Sequence, residues 1–329
     1  MATVMAALLV DNGHEVTLWG RDPAQTQALN RHRENRRYLP GHPLPAGLRA
    51  TSDPAEALRG SDLVLASIPT QQIRGVFSGF AGLVPPGAVV VSVAKGVERG
   101  TLRLPSGVLR DALGGAGGAG GAGGAGWACA SLSGPTIAEE LARKLPATAA
   151  AACPDAAVAE RVQAAFHADW FRVYSNTDLL GVELAGAVKN VIAIAAGILD
   201  GLELGVNAKS ALLARGLAEI SRLGVAMGAR AETFAGVSGV GDLATTCFSA
   251  SGRNRSCGEA LGRGRPLAEV IAGSHGVVEG VPTARAVRTL AARHGVDMPI
   301  AAAVHAVLFE GLAPREAVVR LMTRESRPE

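Results

Sequence analysis

Residues 1–22 read MATVMAALLVDNGHEVTLWGRD. Residues 2–12 have the apolar, small-residue character of a buried helix. Gly13, His14 and Glu15 then turn the chain into Val16-Thr17-Leu18-Trp19, whose β-branched and aromatic bias predicts a strand. A helix feeding a strand is the second half of a βαβ unit. Such a unit begins with a strand and a tight turn ahead of its helix, and neither precedes this one, so the stretch predicts a parallel-sheet domain lacking its first strand. The same residues are not expected to form a secretory signal: no basic region leads, and Asp11-Asn12 follow where a small-residue cleavage site belongs.

Outward from this unit, Asp62-Leu63-Val64-Leu65-Ala66-Ser67 and Ala88-Val89-Val90-Val91-Ser92-Val93 show the continuous hydrophobicity of parallel strands covered on both faces. Each runs into a polar or Gly/Pro loop, Ile68-Pro69-Thr70-Gln71 and Ala94-Lys95-Gly96, at the strand end where ligands collect in open α/β sheets. Beyond about residue 180 strand signals thin out and long Ala/Leu/Gly-rich segments, 182–199 and 207–228, predict helices. The expected fold is therefore α/β: a Rossmann-type parallel-sheet domain, N-terminally truncated, over residues 1–178, then an all-helical domain over 179–329, with the active site in the cleft between them. The run GGAGGAGGAGGAG at 114–126 cannot build a core and is expected to be a surface loop without chemistry.

Composition narrows the function. A net charge of +3 over 329 residues gives no footprint for nucleic acid. The uncharged stretch between Lys189 and Asp200 is too short for the ~30 Å bilayer core, so a cytoplasmic protein with no membrane span is expected. Cys129, Cys153, Cys247 and Cys257 have no zinc-type spacing; reduced thiols and no metal site are expected.

The basic residues are overwhelmingly arginine, with lysine only at positions 95, 144, 189 and 209. In LAGAVKNVIAIAAGIL (184–199), Lys189 borders an apolar stripe of Val188, Ile192, Ala195, Ala196 and Leu199. It reads either as a lysine snorkelling into water or as a partly desolvated amine whose pKa falls into the range of acid/base catalysis. Lys95 is either a solvated loop charge or, between a central strand and Gly96, a residue at the edge of the cleft. In LSGPTIAEE (132–140), Thr136 and Glu139 have the spacing of a capping box at a helix start, which could also hold a phosphate. In GVSGVGDLATTCFSASGRNRSCG (236–258), Gly236, Gly239 and Gly241 reverse the order of a dinucleotide fingerprint and do not count as one. Asp242 follows them, and Arg253-Asn254 lie in a Ser/Gly loop where an arginine can fork a phosphate.

Taken in order, NGHEVTLWGRD, AKGVE, LSGPTIAEE, VELAGAVKNVIAIAAGILDGL, GVGDLATTC with GRNR, and VVEGVPTARAV resemble bacterial NAD(P)-dependent glycerol-3-phosphate dehydrogenase from the first residue to about Ala313. The resemblance implies reduction of dihydroxyacetone phosphate to sn-glycerol 3-phosphate with NADP or NAD, supplying glycerophospholipid synthesis. It implies Lys189 as the catalytic residue and Lys95, Gly134, Thr136, Lys189, Asp242, Arg253 and Asn254 as substrate contacts. Arg21, Tyr38, Lys95, Ala138, Arg253, Val277 and Glu279 fall on cofactor positions, and a homodimer is admitted. Two departures stand out: the first strand with its leading glycines is lacking, and Gly252 replaces a serine before Arg-Asn. A related two-domain hydroxy-acid dehydrogenase and a non-catalytic remnant that binds phosphate ligands are the alternatives.

Overall fold

The computed structural model describes residues 1–114, 126–274 and 276–325; the Gly/Ala run, apart from Gly114 and Gly126, lies outside them. The strands are β1 (Thr17–Trp19), β2 (Glu34–Asn35), β3 (Leu39–Pro43), β4 (Arg49–Thr51), β5 (Leu63–Ala66), β6 (Val89–Ser92), β7 (Ala128–Ser133), β8 (Ala147–Ala152) and β9 (Phe171–Asn176). The helices up to the last strand are α1 (Ala2–Asp11), α2 (Pro23–His32), α3 (Pro54–Leu58), α4 (Thr70–Phe77), α5 (Pro105–Ala112), α6 (Ala138–Ala142) and α7 (Ala156–Phe166). Beyond it come α8 (Leu179–Gly201), α9 (Gly205–Ala226), α10 (Ala231–Ala235), α11 (Asp242–Phe248), α12 (Arg253–Gly262), α13 (Leu267–Ala272), α14 (Gly280–His294), α15 (Pro299–Phe309) and α16 (Pro314–Met322).

The chain divides into two compact units, one of residues 1–68, 72–94 and 106–179, the other of 69–71, 95–105 and 180–329. In the first, β5, β6, β7, β8 and β9 form one sheet in that order. The β5–β6, β6–β7 and β8–β9 pairs are parallel. The β7–β8 pair is antiparallel, so the sheet is mixed rather than wholly parallel. β6 is the buried middle of its parallel part: Val89 and Val91 join the core around Phe166 and Phe171, while Val90 joins that around Ile73 and Leu109. That two-sided burial is why it opens on three consecutive valines, Val89 to Val91.

β1 pairs only with β4, parallel, in a separate two-stranded sheet, and among the described residues no strand joins the two sheets. α1 links them through side chains. Val4, Met5, Leu8 and Leu9 belong to the core of the larger sheet, whereas Ala6 packs with Leu29, Leu44 and Leu48. Two neighbouring helices start alike, on Asp-Pro. Asp22 accepts from the backbone N–H of Ala24 and Gln25 ahead of Pro23, and Asp53 accepts from Ala55 ahead of Pro54.

The second unit is helical and is built on α8. Val182, Leu184, Ala187, Val188, Val191, Ile192, Ala193, Ile194 and Ala196 are all fully buried, which covers every side of the helix rather than one stripe. α8 is long and apolar enough to cross a membrane on length and composition, contrary to the count between charged residues; 94% of that window is buried inside the protein. α12 crosses it at backbone contact. A Cβ on Gly197 or Gly201 of α8 would lie 1.9 or 2.3 Å from the carbonyl oxygens of Arg255 and Glu259, and one on Gly258 or Gly262 of α12 would lie 2.0 or 2.6 Å from those of Ile194 and Ile198. Glycine spaced by four on both helices allows this approach. The four cysteines are buried with free thiols.

Candidate active site

The second unit brings three of the sequence-predicted residues together. Lys189 of α8 is 5% exposed and Asp242, the first residue of α11, 1%. Lys189 Nζ donates to Asp242 Oδ1, and Lys95 Nζ donates to Asp242 Oδ2 at 2.7 Å. One carboxylate thus sits between two ammonium groups, leaving a local excess of positive charge. Asp242 reaches this position because the glycines before it form a single π-helical turn, Val237–Gly241, that re-aims the chain into α11. Lys189 also donates to Thr246 Oγ1, whose hydroxyl donates to the Asp242 carbonyl at 2.7 Å.

Burial pulls the Lys189 pKa down to about 8, opposed by Asp242 and assisted by repulsion from Lys95. Lys189 is therefore neither at the border of an apolar stripe nor snorkelling: α8 has no solvent-facing side here, and the ammonium ends on protein groups. Asp242 and Thr246 take two of its three N–H donors. The nearby Cys247 thiol, buried, is pushed up to about 12 and stays neutral.

A second chain of hydrogen bonds fixes Asn254. Asn190 Nδ2 donates to the Lys95 carbonyl at 3.2 Å, Asn254 Nδ2 donates to Asn190 Oδ1 at 2.9 Å, and the Gly280 N–H donates to Asn254 Oδ1 at 2.9 Å. Arg253, the exposed first residue of α12, packs its guanidinium against Gly276: a Cβ there would lie 2.8 Å from Nη1. Gly252 is the N-cap of α12 without a capping side chain, and a Cβ there would lie 3.3 Å from the Ser249 carbonyl.

Glu279, the N-cap of α14, is driven up to about pKa 7 by burial, against a hydrogen bond from the Thr70 backbone and the charge of Arg253. Its Oε2 and Thr70 Oγ1 are buried and have no hydrogen-bond partner among the described residues. Both crowd Gly96, where a Cβ would lie 3.2 and 2.9 Å from them. Val277 is 40% exposed.

Arg21, Tyr38, Gly134, Thr136 and Ala138 belong to the first unit. Arg21 is exposed just past β1, and its neighbour Asp22 is engaged as the cap of α2. Tyr38 is 63% exposed with the Arg37 guanidinium 5.1 Å from its ring centroid. The capping box is not formed. α6 begins at Ala138 with Ile137 as N-cap and no side-chain cap, because the Thr136 hydroxyl turns back to the Gly134 carbonyl at 3.1 Å.

Sequence reasoning did not single out Thr246, Asn190 or Thr70. Thr246 lies four residues after Asp242 on the same helical face, and that spacing could have found it. Asn190 is visible in the sequence only as the neighbour of Lys189, and Thr70 only as a member of the polar loop that follows β5.

Comparison with known proteins finds relatives over almost the whole chain. Residues 2–159 match the family model of the NAD-dependent glycerol-3-phosphate dehydrogenase N-terminus, and residues 178–319 that of the C-terminus. The chain is 47% identical to a glycerol-3-phosphate dehydrogenase [NAD(P)+] of Streptomyces griseus subsp. griseus, covering 99% of this chain and 95% of the relative. It is 45% identical to that of Citrifermentans bemidjiense with the same coverage. The crystal structure of glycerol-3-phosphate dehydrogenase from Coxiella burnetii superposes with a TM-score of 0.89 at 35% identity, covering 98% of this chain and 95% of that one. A ketopantoate reductase from Ralstonia eutropha JMP134, at 16% identity and TM-score 0.55, shares the fold alone.

Proposed function

Because the chain belongs to the NAD-dependent glycerol-3-phosphate dehydrogenase family, we propose that it reduces dihydroxyacetone phosphate to sn-glycerol 3-phosphate in the cytoplasm, with Lys189 as proton donor. The observation that carries this role is the donor count at Lys189: a buried ammonium of pKa about 8 with two of its three N–H groups fixed by Asp242 and Thr246. The third is left for the substrate carbonyl oxygen, where negative charge develops as the ketone is reduced. Lys95 adds positive charge through the shared Asp242. Arg253 and Asn254 hold the phosphate, with the backbone and hydroxyl at Gly134 and Thr136 as further substrate contacts, so that binding remote from the carbonyl orients it.

The residues present fit a nicotinamide cofactor. The unpartnered Glu279 Oε2 and Thr70 Oγ1 beside Gly96 match a carboxamide that both donates and accepts, and a side chain at residue 96 would close that space. Lys95, Ala138, Arg253 and Val277 complete the reactive half, and Arg21 and Tyr38 serve the adenosine end. When bound, NAD(P)H supplies the hydrogen and its two electrons to the ketone carbon.

The Lys189 pKa lies below the ordinary lysine value, so the acid form dominates below about pH 8 and is lost above it. Initial rates of dihydroxyacetone phosphate reduction at saturating substrate should be level on the acid side and fall about tenfold per unit above pH 8. Asp242→Asn, which removes the carboxylate that holds the pKa up, should move the break to lower pH. A wild-type kcat that stays level to about pH 10 is incompatible with a lysine acid of this pKa.

Arg21 offers a cation at the end of β1, where Gly20 leaves no acidic side chain and Asp22 is engaged as a cap. NADPH should be used at least as well as NADH. Arg21→Ala should raise KM for NADPH about tenfold or more, from the ~1.5–3 kcal/mol of a hydrogen bond to a charged group, with little change for NADH. Equal effects on the two cofactors would remove Arg21 from cofactor selection.

A further inference from the structure

Lys209, one of the four lysines, is 9% exposed and plays no part in the chemistry above. It pairs with Asp200 Oδ1 at 2.5 Å, while Arg255 Nε donates to Asp200 Oδ2 at 2.6 Å. Arg255 Nη1 reaches Glu259 at 3.2 Å, and Lys209 Nζ stands 5.3 Å from the ring centroid of Phe248. The cluster joins the end of α8 (Asp200), the start of α9 (Lys209), the end of α11 (Phe248) and the first turn of α12 (Arg255). Phe248 and Arg255 bracket the loop 249–252 and the first two residues of α12, Arg253 and Asn254. The side chains of Lys209, Asp200 and Arg255 are only 11, 21 and 15% exposed, so solvent screens the pairs less than on an open surface.

The second constraint on the same turn is steric. The Arg255 carbonyl oxygen lies where a Cβ on Gly197 would be, 1.9 Å from that position, so α12 can neither rotate nor slide against α8 without a clash or a gap. Asn254 meets Asn190, two turns before Gly197 on α8.

We propose that Asp200 is a positioning residue for the phosphate end of the substrate: by holding Lys209 and Arg255 on its two oxygens, it sets the first turn of α12 so that Arg253 and Asn254 face the phosphate together. The inference rests on the reading that Arg253 and Asn254 bind that phosphate. Asp200 touches neither substrate nor cofactor in this account and acts through Arg255.

The test compares Asp200→Asn, Lys209→Met, Lys209→Arg and Arg253→Ala in steady-state kinetics with dihydroxyacetone phosphate and NADPH, alongside thermal melting. Asp200→Asn should lower kcat/KM for dihydroxyacetone phosphate roughly tenfold to a hundredfold, the effect of an ångström-scale misplacement, while KM for NADPH stays at the wild-type value. Lys209→Met should show the same selective loss to a smaller degree and serves if Asp200→Asn fails to fold; Lys209→Arg, which keeps the pair, should restore wild-type behaviour. Wild-type kinetics for Asp200→Asn alongside an impaired Arg253→Ala would overturn the positioning role and leave the phosphate reading standing. Parallel losses for both substrates in Asp200→Asn and in both Lys209 variants, tracking a lower melting temperature, would reduce the cluster to a general structural role and overturn it too. An Arg253→Ala variant with unchanged kcat/KM would instead remove the phosphate reading, and this inference with it.

Discussion

Lys189→Met is expected to lower kcat for dihydroxyacetone phosphate reduction at least ~100-fold, the lower end for a lost general acid, with loss of charge stabilisation adding to it. Methionine keeps most of the stem's length and apolar packing among the fully buried Val188, Val191 and Ile192. Asp242 keeps Lys95 as its ionic partner at 2.7 Å, so the variant does not strand a lone buried carboxylate. KM for dihydroxyacetone phosphate should change little, because the phosphate is held elsewhere, and the loss should fall on the turnover step. Retention of more than about a tenth of wild-type kcat would exclude Lys189 as proton donor and turn attention to Lys95, which shares its carboxylate.

The second large effect is on stability. In Gly258→Ala the added carbon would stand 2.0 Å from the Ile194 carbonyl oxygen, a backbone atom of a fully buried helix that cannot turn aside. Overpacking commonly costs 1–3 kcal/mol, and a backbone clash belongs at roughly 3 kcal/mol or above. In a chain of 329 residues that lowers Tm by roughly 4 °C or more, at about 1.4 °C per kcal/mol. Because α12 carries Arg253 and Asn254, activity at a permissive temperature should fall as well. Gly75 is the opposite case: it lies in α4 with no atom of the described residues within 4 Å of its added carbon, so Gly75→Ala should be neutral or stabilising by ~0.4–1 kcal/mol. Thermal melts that rank the two variants equally would show that the α8–α12 crossing is not backbone-tight.

Much of the first unit was legible because its signals are local. The three consecutive valines of β6, the turn before β1 and the apolar run of β5 are read from a few consecutive residues. β8 was not, since Ala147–Ala152 is alanine and one threonine, a composition that favours helix and acquires strand geometry only between β7 and β9. The capping box at Thr136 failed for a comparable reason. A threonine hydroxyl can close a turn as readily as cap a helix, and the Gly-Pro turn before it settled the competition.

At the candidate site, residue types were visible but environments were not. A heptad-style stripe assigns Lys189 to the edge of a face, yet α8 lies inside a core built mostly from helices that follow it in the chain. The pairing with Asp242 spans fifty-three positions, and no local pattern announces it. Gly197 and Gly201 read as helix-weakening residues until Gly258 and Gly262 are found against them.

The central claim, a reductase that reads the phosphate of its ketone substrate and reduces it with NADPH, is tested most directly by one comparison. NADPH oxidation should be followed with dihydroxyacetone phosphate, with dihydroxyacetone and with a branched 2-keto acid, and kcat/KM compared. Dihydroxyacetone phosphate should exceed the other two by a factor on the order of 10⁴, as for a site whose polar groups are left unpaired by an analogue lacking their partner. A keto acid turned over as well as dihydroxyacetone phosphate, or a phosphate-free ketone within about tenfold of it, against the ~10⁴ expected, would contradict the account.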